Sequence, residues 1–185
     1  ERRAGPRAMP RTAAAPRAPA PPRAQEPVEA RRWLKARREE LRERYLRRPD
    51  PQRALAAHAA LVDGLLARLW AECIRDPGIA LVAVGGYGRG LLFPHSDVDV
   101  LVLLPDGRAP DGDVERFVGL LWDCGIEPGH SVRTLAECEE EAGKDVTVDT
   151  SLLEARLVAG DRALMAALDA RLAARRDVRE FFRAK

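Results

Sequence analysis

Two aspartates two residues apart, Asp97 and Asp99, form the pattern in this sequence with the clearest chemical potential. They stand in the segment SDVDVLVLL, which predicts a strand from Asp97 to Leu104. Residues two apart on a strand project from one face, so both carboxylates face one side while Val98 and Val100 face the other. Adjacent like charges favour a cation between them, and Mg²⁺ prefers oxygen ligands. The acid pair, Asp97 and Asp99, therefore predicts a magnesium site, and the alternative is two carboxylates at a solvated strand end.

A glycine segment, GGYGRG, lies shortly upstream of the acid pair, between two predicted strands. Gly85, Gly86 and Gly88 let the backbone approach a ligand and direct successive amides at it, which suits a triphosphate. Arg89 adds a fixed positive charge, and Ser96 either donates to phosphate or caps the start of the strand. The segment is neither a Walker A loop nor a G-x-G-x-x-G dinucleotide motif. A loop that merely turns tightly between strands is the alternative interpretation.

The elements that must position these residues follow from hydrophobic periodicity and capping signals. Asp50-Pro51 predicts a helix start, and Thr134 with Glu137 forms a capping-box signature that Ser151 with Glu154 repeats. The pattern predicts helices at 28–48, 51–74, 113–124 and 134–143, strands at 79–84, 97–104 and 126–133, and two last helical stretches separated by Gly160-Asp161. This order predicts an α/β (α+β) fold: a small mixed β-sheet with flanking helices, preceded by a disordered tail and N-terminal helices.

Charge is unevenly distributed along the 185 residues. Residues 1–53 carry 16 basic and 7 acidic side chains, whereas residues 54–185 carry 15 basic and 22 acidic side chains. The Arg/Pro/Ala-rich tail at 1–27 is predicted to be disordered, and it has no aromatic residue that could stack on a base, so nucleic-acid binding is not expected. Helices at 28–75 and a domain at 76–185, which holds the acid pair and the glycine segment, follow. We expect that domain to be incomplete at its C-terminal end, because Phe181-Phe182 has little sequence after it to cover it.

Apolar runs and cysteines exclude other classes of protein. The longest runs, such as 79–84, fall well short of the roughly 18 residues that a membrane span needs, so no membrane partner is expected. Cys73, Cys124 and Cys138 form no CxxC pair and leave an odd thiol. This usage argues against a disulfide scaffold or a cysteine zinc site and favours a reducing, cytoplasmic compartment.

A glycine pair, a short helix and a strand with alternating aspartates resemble the nucleotidyltransferase superfamily to which DNA polymerase β belongs. The segments GGYGRG and L-x-P-x-SDVD, followed by LLWDCGIEPGHSVRT and DVTVDTSLLEARLVAGD, are similar to the N-terminal region of the bifunctional protein-PII uridylyltransferase/uridylyl-removing enzymes. The resemblance covers residues 33–185. It implies transfer of UMP from UTP to a tyrosine hydroxyl of the PII signalling protein, with release of pyrophosphate.

The resemblance also implies roles for individual residues. The acid pair would hold Mg²⁺, the three glycines would cradle the β- and γ-phosphates, and Arg89 would draw off charge as pyrophosphate leaves. A third carboxylate from a neighbouring strand is usual in the superfamily, and Glu127 is the candidate. Asp145 and Asp149 are alternatives that look more like helix caps. Arg133 is expected either to face the site or to form an ion pair with Asp123 or Glu127.

Full-length members of this family also carry a phosphohydrolase domain with a His-Asp pair and two glutamine-sensing domains. The sequence has no adjacent His-Asp pair, so uridylyl removal and glutamine sensing are not expected of these residues. Two alternatives to transfer onto PII remain open. One is a nucleotidyltransferase with a small-molecule acceptor, and the other is an inactive truncated fragment that binds nucleotide or PII.

Overall fold

The structure, a computed structural model, describes residues 20–175 as helices on both faces of a small sheet. In chain order the elements are α1 (Pro27–Arg47), α2 (Pro51–Cys73), β1 (Ala80–Ala83), α3 (Gly85–Gly88), β2 (Val100–Leu104), α4 (Gly112–Asp123), β3 (His130–Thr134), α5 (Leu135–Lys144), α6 (Val146–Leu153), β4 (Arg156–Gly160) and α7 (Arg162–Arg175). This arrangement confirms the predicted mixed α/β class. The tail predicted at 1–27 lies mostly outside the described residues, and Phe181-Phe182 lies wholly outside them.

The four strands form one mixed sheet in the order β3-β2-β1-β4. β1 is antiparallel to both β2 and β4, whereas β2 and β3 run parallel. Every residue of the two central strands is buried. Helices therefore cover both faces of the sheet, which explains why β1 and β2 read as continuous apolar runs in the sequence.

Alternating residues of the central strands pack into two separate hydrophobic cores. Val98, Val100 and Val102 pack with α1, α2 and α4 on one face. Leu101 and Leu103 pack with α5, α6 and α7 on the other. The alternation predicted for SDVDVLVLL is confirmed, and it places the odd-numbered residues of this segment toward α6.

Helix α2 begins as its sequence predicts and forms much of the first core. The Asp50 side chain accepts a hydrogen bond from the Arg53 amide (3.0 Å), and Pro51 is the first helical residue. By length and composition α2 could also cross a membrane, a property that core helices of water-soluble proteins share. Its apolar stripe, including Val62, Leu65 and Leu69, is fully buried against the sheet.

The regular ladder of β2 and β3 begins later than the sequence predicts. β2 starts at Val100 rather than Asp97, and β3 starts at His130 rather than Ile126. Isolated backbone bonds precede the ladder: the Val98 amide donates to the Glu127 carbonyl (3.1 Å). The acid pair therefore lies in the segment that leads into β2, just before the regular strand.

The prediction of a helical stretch between Ser151 and Gly160 is wrong. Asp145 caps α6 by accepting a hydrogen bond from the Thr147 amide (2.7 Å), so Ser151 lies inside a helix that is already formed. The following residues, Arg156–Gly160, pair with β1 as an edge strand. Two smaller differences concern helix starts. The first four residues of the glycine segment form the one-turn helix α3, and α4 begins at Gly112, with Asp111 as its cap, one residue before the predicted start at 113.

Candidate active site

The acid pair and the glycine segment meet where β1 ends and β2 begins. Because these strands are antiparallel, the end of one adjoins the start of the other, and the Val84 amide donates to the Asp99 carbonyl (3.1 Å). Gly85 follows with φ of 55°, in the left-handed region that favours glycine. A Cβ on Gly85 would lie 3.6 Å from Asp99 Oδ2. The fold thus brings together the two motifs that the sequence singles out.

The Asp99 carboxylate occupies a narrow space between two glycines. A Cβ on Gly129, the residue before β3, would overlap Asp99 Oδ1. The same glycine accepts a hydrogen bond from the Val100 amide at its carbonyl oxygen (2.7 Å). The sequence analysis did not connect Gly129 with the acid pair, because that contact depends on the parallel pairing of β2 and β3.

The electrostatics of the acid pair suit a cation. Burial, and next the charge of Asp97, raise the pKa of Asp99 above its ordinary value. A divalent ion between the carboxylates would offset this repulsion. Within residues 20–175 no three His, Cys, Asp or Glu side chains form a metal cluster. Two carboxylates nevertheless fit Mg²⁺, which is commonly held by one or two carboxylates together with substrate phosphates and water.

Helix α3 is anchored through Gly88. The Gly88 amide donates to the Val84 carbonyl (3.0 Å), and its own carbonyl accepts from Arg156 Nε (3.2 Å). A Cβ on Gly88 would overlap the Glu154 carbonyl oxygen. Gly88 is therefore required for packing, whereas Gly85 and Gly86 supply the amides of the first helical turn, which have no acceptor within their own helix.

A cluster of three side chains, Asp63, Tyr87 and Arg156, fastens α3 to the rest of the molecule. Arg156 donates to both carboxylate oxygens of Asp63 (2.9 and 3.1 Å), and the buried Tyr87 hydroxyl donates to the same carboxylate. The Arg156 guanidinium also lies 5.5 Å from the centre of the Tyr87 ring. This Asp63 cluster joins α2, α3 and β4, and the sequence held no signal that could have linked residues so far apart.

Arg89 and Ser96 lie at opposite ends of the segment between α3 and the acid pair. Arg89 forms an ion pair with Glu154 (3.3 Å), and its Nη2 is 3.7 Å from where a Cβ of Gly86 would stand. Ser96 is exposed, and its amide donates to the Phe93 carbonyl (3.2 Å) in the turn before Asp97. Their roles toward phosphate stay predictions.

The candidates for a third carboxylate lie in different surroundings. Glu127 is exposed, and its charge interacts with the Arg38 guanidinium of α1. Asp145 is the cap of α6, as its sequence context predicted. Asp149 is not a cap, because it lies inside α6, where it is buried with its Oδ1 3.7 Å from Arg175 Nη2. A catalytic role for Glu127 stays a prediction.

A cavity of about 230 Å³ lies on the sheet face that carries Asp99. Its polar lining includes Ser131 and Arg133 of β3 and Ser151 of α6. The Ser151 hydroxyl would be 3.4 Å from a Cβ on Gly85, so the cavity adjoins the glycine segment. Among the residues that the structure describes, Arg133 forms neither of the ion pairs considered for it with Asp123 and Glu127. Arg133 lines the cavity instead, and its role toward the site stays a prediction.

Comparison with known proteins identifies the domain. Residues 66–156 match the nucleotidyltransferase domain family. The chain is 56% identical over 142 residues to a bifunctional uridylyltransferase/uridylyl-removing enzyme of Bordetella avium, a match that covers 75% of this chain and 16% of the relative. It is 51% identical over 148 residues to the enzyme of the same name from Burkholderia orbicola, a match that covers 79% of this chain and 17% of the relative.

The chain thus spans only about 16% of the length of these relatives. The matched region contains the acid pair, the glycine segment and all the residues that line the cavity. The sequence match and the geometry agree that residues 66–156 form a nucleotidyltransferase domain.

Proposed function

We propose that this protein transfers UMP from UTP to a tyrosine hydroxyl of a PII signalling protein in a Mg²⁺-dependent reaction that releases pyrophosphate. The observation that carries the proposal is the placement of the Asp99 carboxylate between Gly85 and Gly129, beside the start of α3. The names of the relatives support uridylyl transfer. The choice of PII as acceptor is supported by the resemblance of the GHSVRT segment.

In this proposal each part of the site has a distinct task. Asp97 and Asp99 would hold Mg²⁺, which would offset the negative charge of the triphosphate and so assist in-line attack by the tyrosine hydroxyl at the α-phosphorus. The amides of Gly85 and Gly86 contact the phosphates that leave, and Arg89 exchanges its surface partner Glu154 for the developing charge. Catalysis then consists mainly of positioning and charge stabilisation.

Replacing both acids tests the proposal directly. The Asp97→Asn/Asp99→Asn variant should lose UMP transfer when incubated with UTP, Mg²⁺ and PII, because both metal ligands lose their charge. The readout is the mass of PII, which increases by one UMP residue per modified tyrosine. Asp123→Asn, which removes an exposed acid at the end of α4, should transfer at the wild-type rate.

Circular dichroism and thermal melting must show that the double variant is folded. Transfer by the folded double variant at the wild-type rate would overturn the metal assignment. Labelling of a small metabolite instead of PII would show that the acceptor is not a protein. Binding of UTP without any transfer by the wild-type chain would show a nucleotide-binding module.

A further inference from the structure

The cavity beside the acid pair is formed by β3, α6 and the ends of the central strands. In the parallel register Leu101 lies opposite Ser131 and Leu103 lies opposite Arg133. These residues share the sheet face of Asp99, which lies two positions before Leu101. The full lining is Val84, Leu101, Ser131, Arg133, Asp145, Thr147, Val148, Ser151 and Leu152.

We propose that this cavity binds the base of the nucleotide and that Arg133 selects uracil. The inference rests on the proposed function and extends it, because it assigns the base specificity of the same site to one residue. Two independent features carry it: the size of the cavity and the hydrogen-bonding capacity of its lining.

The cavity is large enough for a single aromatic ring. A cavity of about 150 Å³ accommodates one benzene molecule, and whole drug-sized ligands occupy roughly 300–1,000 Å³. At about 230 Å³ this cavity has room for a pyrimidine ring with part of its ribose. Val84, Leu101 and Leu152 provide the apolar walls that contact the faces of such a ring.

The polar lining favours uracil over cytosine. Arg133 is half-buried, and among residues 20–175 it takes part in no hydrogen bond or ion pair. A guanidinium can only donate hydrogen bonds. Uracil presents a carbonyl oxygen at C4, whereas cytosine presents an amino group there that also donates. With the C4 edge of the base placed toward Arg133, the guanidinium satisfies uracil and leaves cytosine with two opposed donors, while the hydroxyls of Ser131 and Thr147 can pair with either base.

Arg133→Met tests the inference, because it keeps most of the side-chain length and removes every donor. We expect the preference for UTP over CTP, measured as the ratio of kcat/KM for PII labelling, to fall about ten- to hundredfold, mainly through the KM for UTP. Equilibrium binding of the two nucleotides with Mg²⁺ should show the same loss of discrimination. Thr150→Val is the matched control: Thr150 lies on α6 outside the cavity lining, and its hydroxyl donates to the Val146 carbonyl (2.7 Å).

A second variant fills the cavity from an exposed position. Thr147→Phe should weaken binding of UTP and CTP alike, while Mg²⁺-dependent binding of inorganic tripolyphosphate stays at the wild-type level. Unchanged UTP binding by this variant would place the base elsewhere and overturn the proposal.

The two proposals fail in different ways. If the Asp97→Asn/Asp99→Asn variant loses transfer but Arg133→Met keeps the UTP preference, the base assignment is wrong and the function stands. If the wild-type protein labels no acceptor, the proposed function is wrong, and the binding measurements alone then decide whether the cavity discriminates between the bases.

Discussion

Three glycines surround the candidate site, and each is required for a different physical reason. Gly85 adopts a positive φ, Gly88 packs against the Glu154 carbonyl, and Gly129 leaves room for the Asp99 carboxylate. Substitution at the first two would disturb the backbone. Substitution at Gly129 would meet a side-chain carboxylate instead, so this position can separate chemistry from folding.

Gly129→Ala should therefore reduce activity far more than stability. The added methyl group must displace the Asp99 carboxylate. A displacement of about 1 Å can cost about a hundredfold in rate, whereas the crowding itself costs about 1–3 kcal/mol of unfolding free energy. The measurements are kcat/KM for UMP transfer and urea denaturation.

Gly119→Ala on α4 is the control for this prediction, because nothing lies within 4 Å of the added atom. It should keep full activity and gain up to about 1 kcal/mol of stability, since alanine favours the helix. Equal activity of the Gly129→Ala variant and the wild-type protein would mean that the position of Asp99 does not limit the rate.

At the scale of elements, the segment before the acid pair is held by His58 of α2. Its Nε2 lies 3.0 Å from Arg38 Nε of α1, and its Nδ1 lies 3.1 Å from the Leu92 carbonyl. Arginine can only donate, so Nε2 accepts and the ring proton resides on Nδ1, which donates to Leu92. A neutral imidazole thus joins α1, α2 and the segment that leads to Asp97.

The stability of the fold should consequently fall in acid through His58. Burial is the main cause that lowers the pKa of His58 below its ordinary value. The Leu92 and Phe93 carbonyls raise this pKa by hydrogen bonding, whereas the charges of Arg38 and His95 lower it further. The unfolded chain therefore takes up a proton before the folded chain does. Stability is lost as pH falls through about 6.5, the value for an unperturbed histidine, toward the lower folded value.

Unfolding free energies measured by urea between pH 8 and pH 5 check this expectation. His58→Gln should be less stable at pH 8, because Leu92 and Arg38 lose a well-placed partner, but its stability should decline less in acid than that of the wild-type protein. His130→Gln, at an exposed position, should leave the decline unchanged. An identical pH profile for His58→Gln and wild type would contradict the role given to His58.

Elements that are specified by neighbouring residues were predicted well, whereas elements that depend on partners far away in the sequence were not. The Asp50 cap and the Thr134–Glu137 capping box are confirmed, because each is satisfied by residues within one turn. The edge strand β4 was missed because its pairing partner β1 lies far back in the sequence. The same holds for the site. The sequence motifs singled out the acid pair and Gly85, which face each other across adjacent strand ends, whereas Gly129 and the Asp63 cluster were missed because only the tertiary fold brings them to the site.

At the scale of the whole molecule, the two hydrophobic cores share the same central strands. Leu81 and Ala83 of β1 face α2, while Ala80 and Val82 face α7. Neither core can lose its packing without exposing one face of β1 and β2. The acid pair and the cavity lie where these shared strands end, so the site depends on both cores.

Leu168→Ala tests whether the two cores unfold together. Leu168 of α7 is fully buried in the second core, so the variant should lose about 2–5 kcal/mol of unfolding free energy. The reporter is Trp70, in the first core, whose ring packs edge-on against Phe117 at 5.2 Å. In a Trp33→Phe/Trp122→Phe background, the urea midpoint reported by Trp70 fluorescence should shift together with the midpoint reported by circular dichroism.

Leu153→Ala is the control, because this position is 45% exposed and the substitution should change either midpoint little. A Trp70 midpoint that stays in place while circular dichroism shifts would show that the two faces of the sheet unfold independently, and the site would then need only the first core.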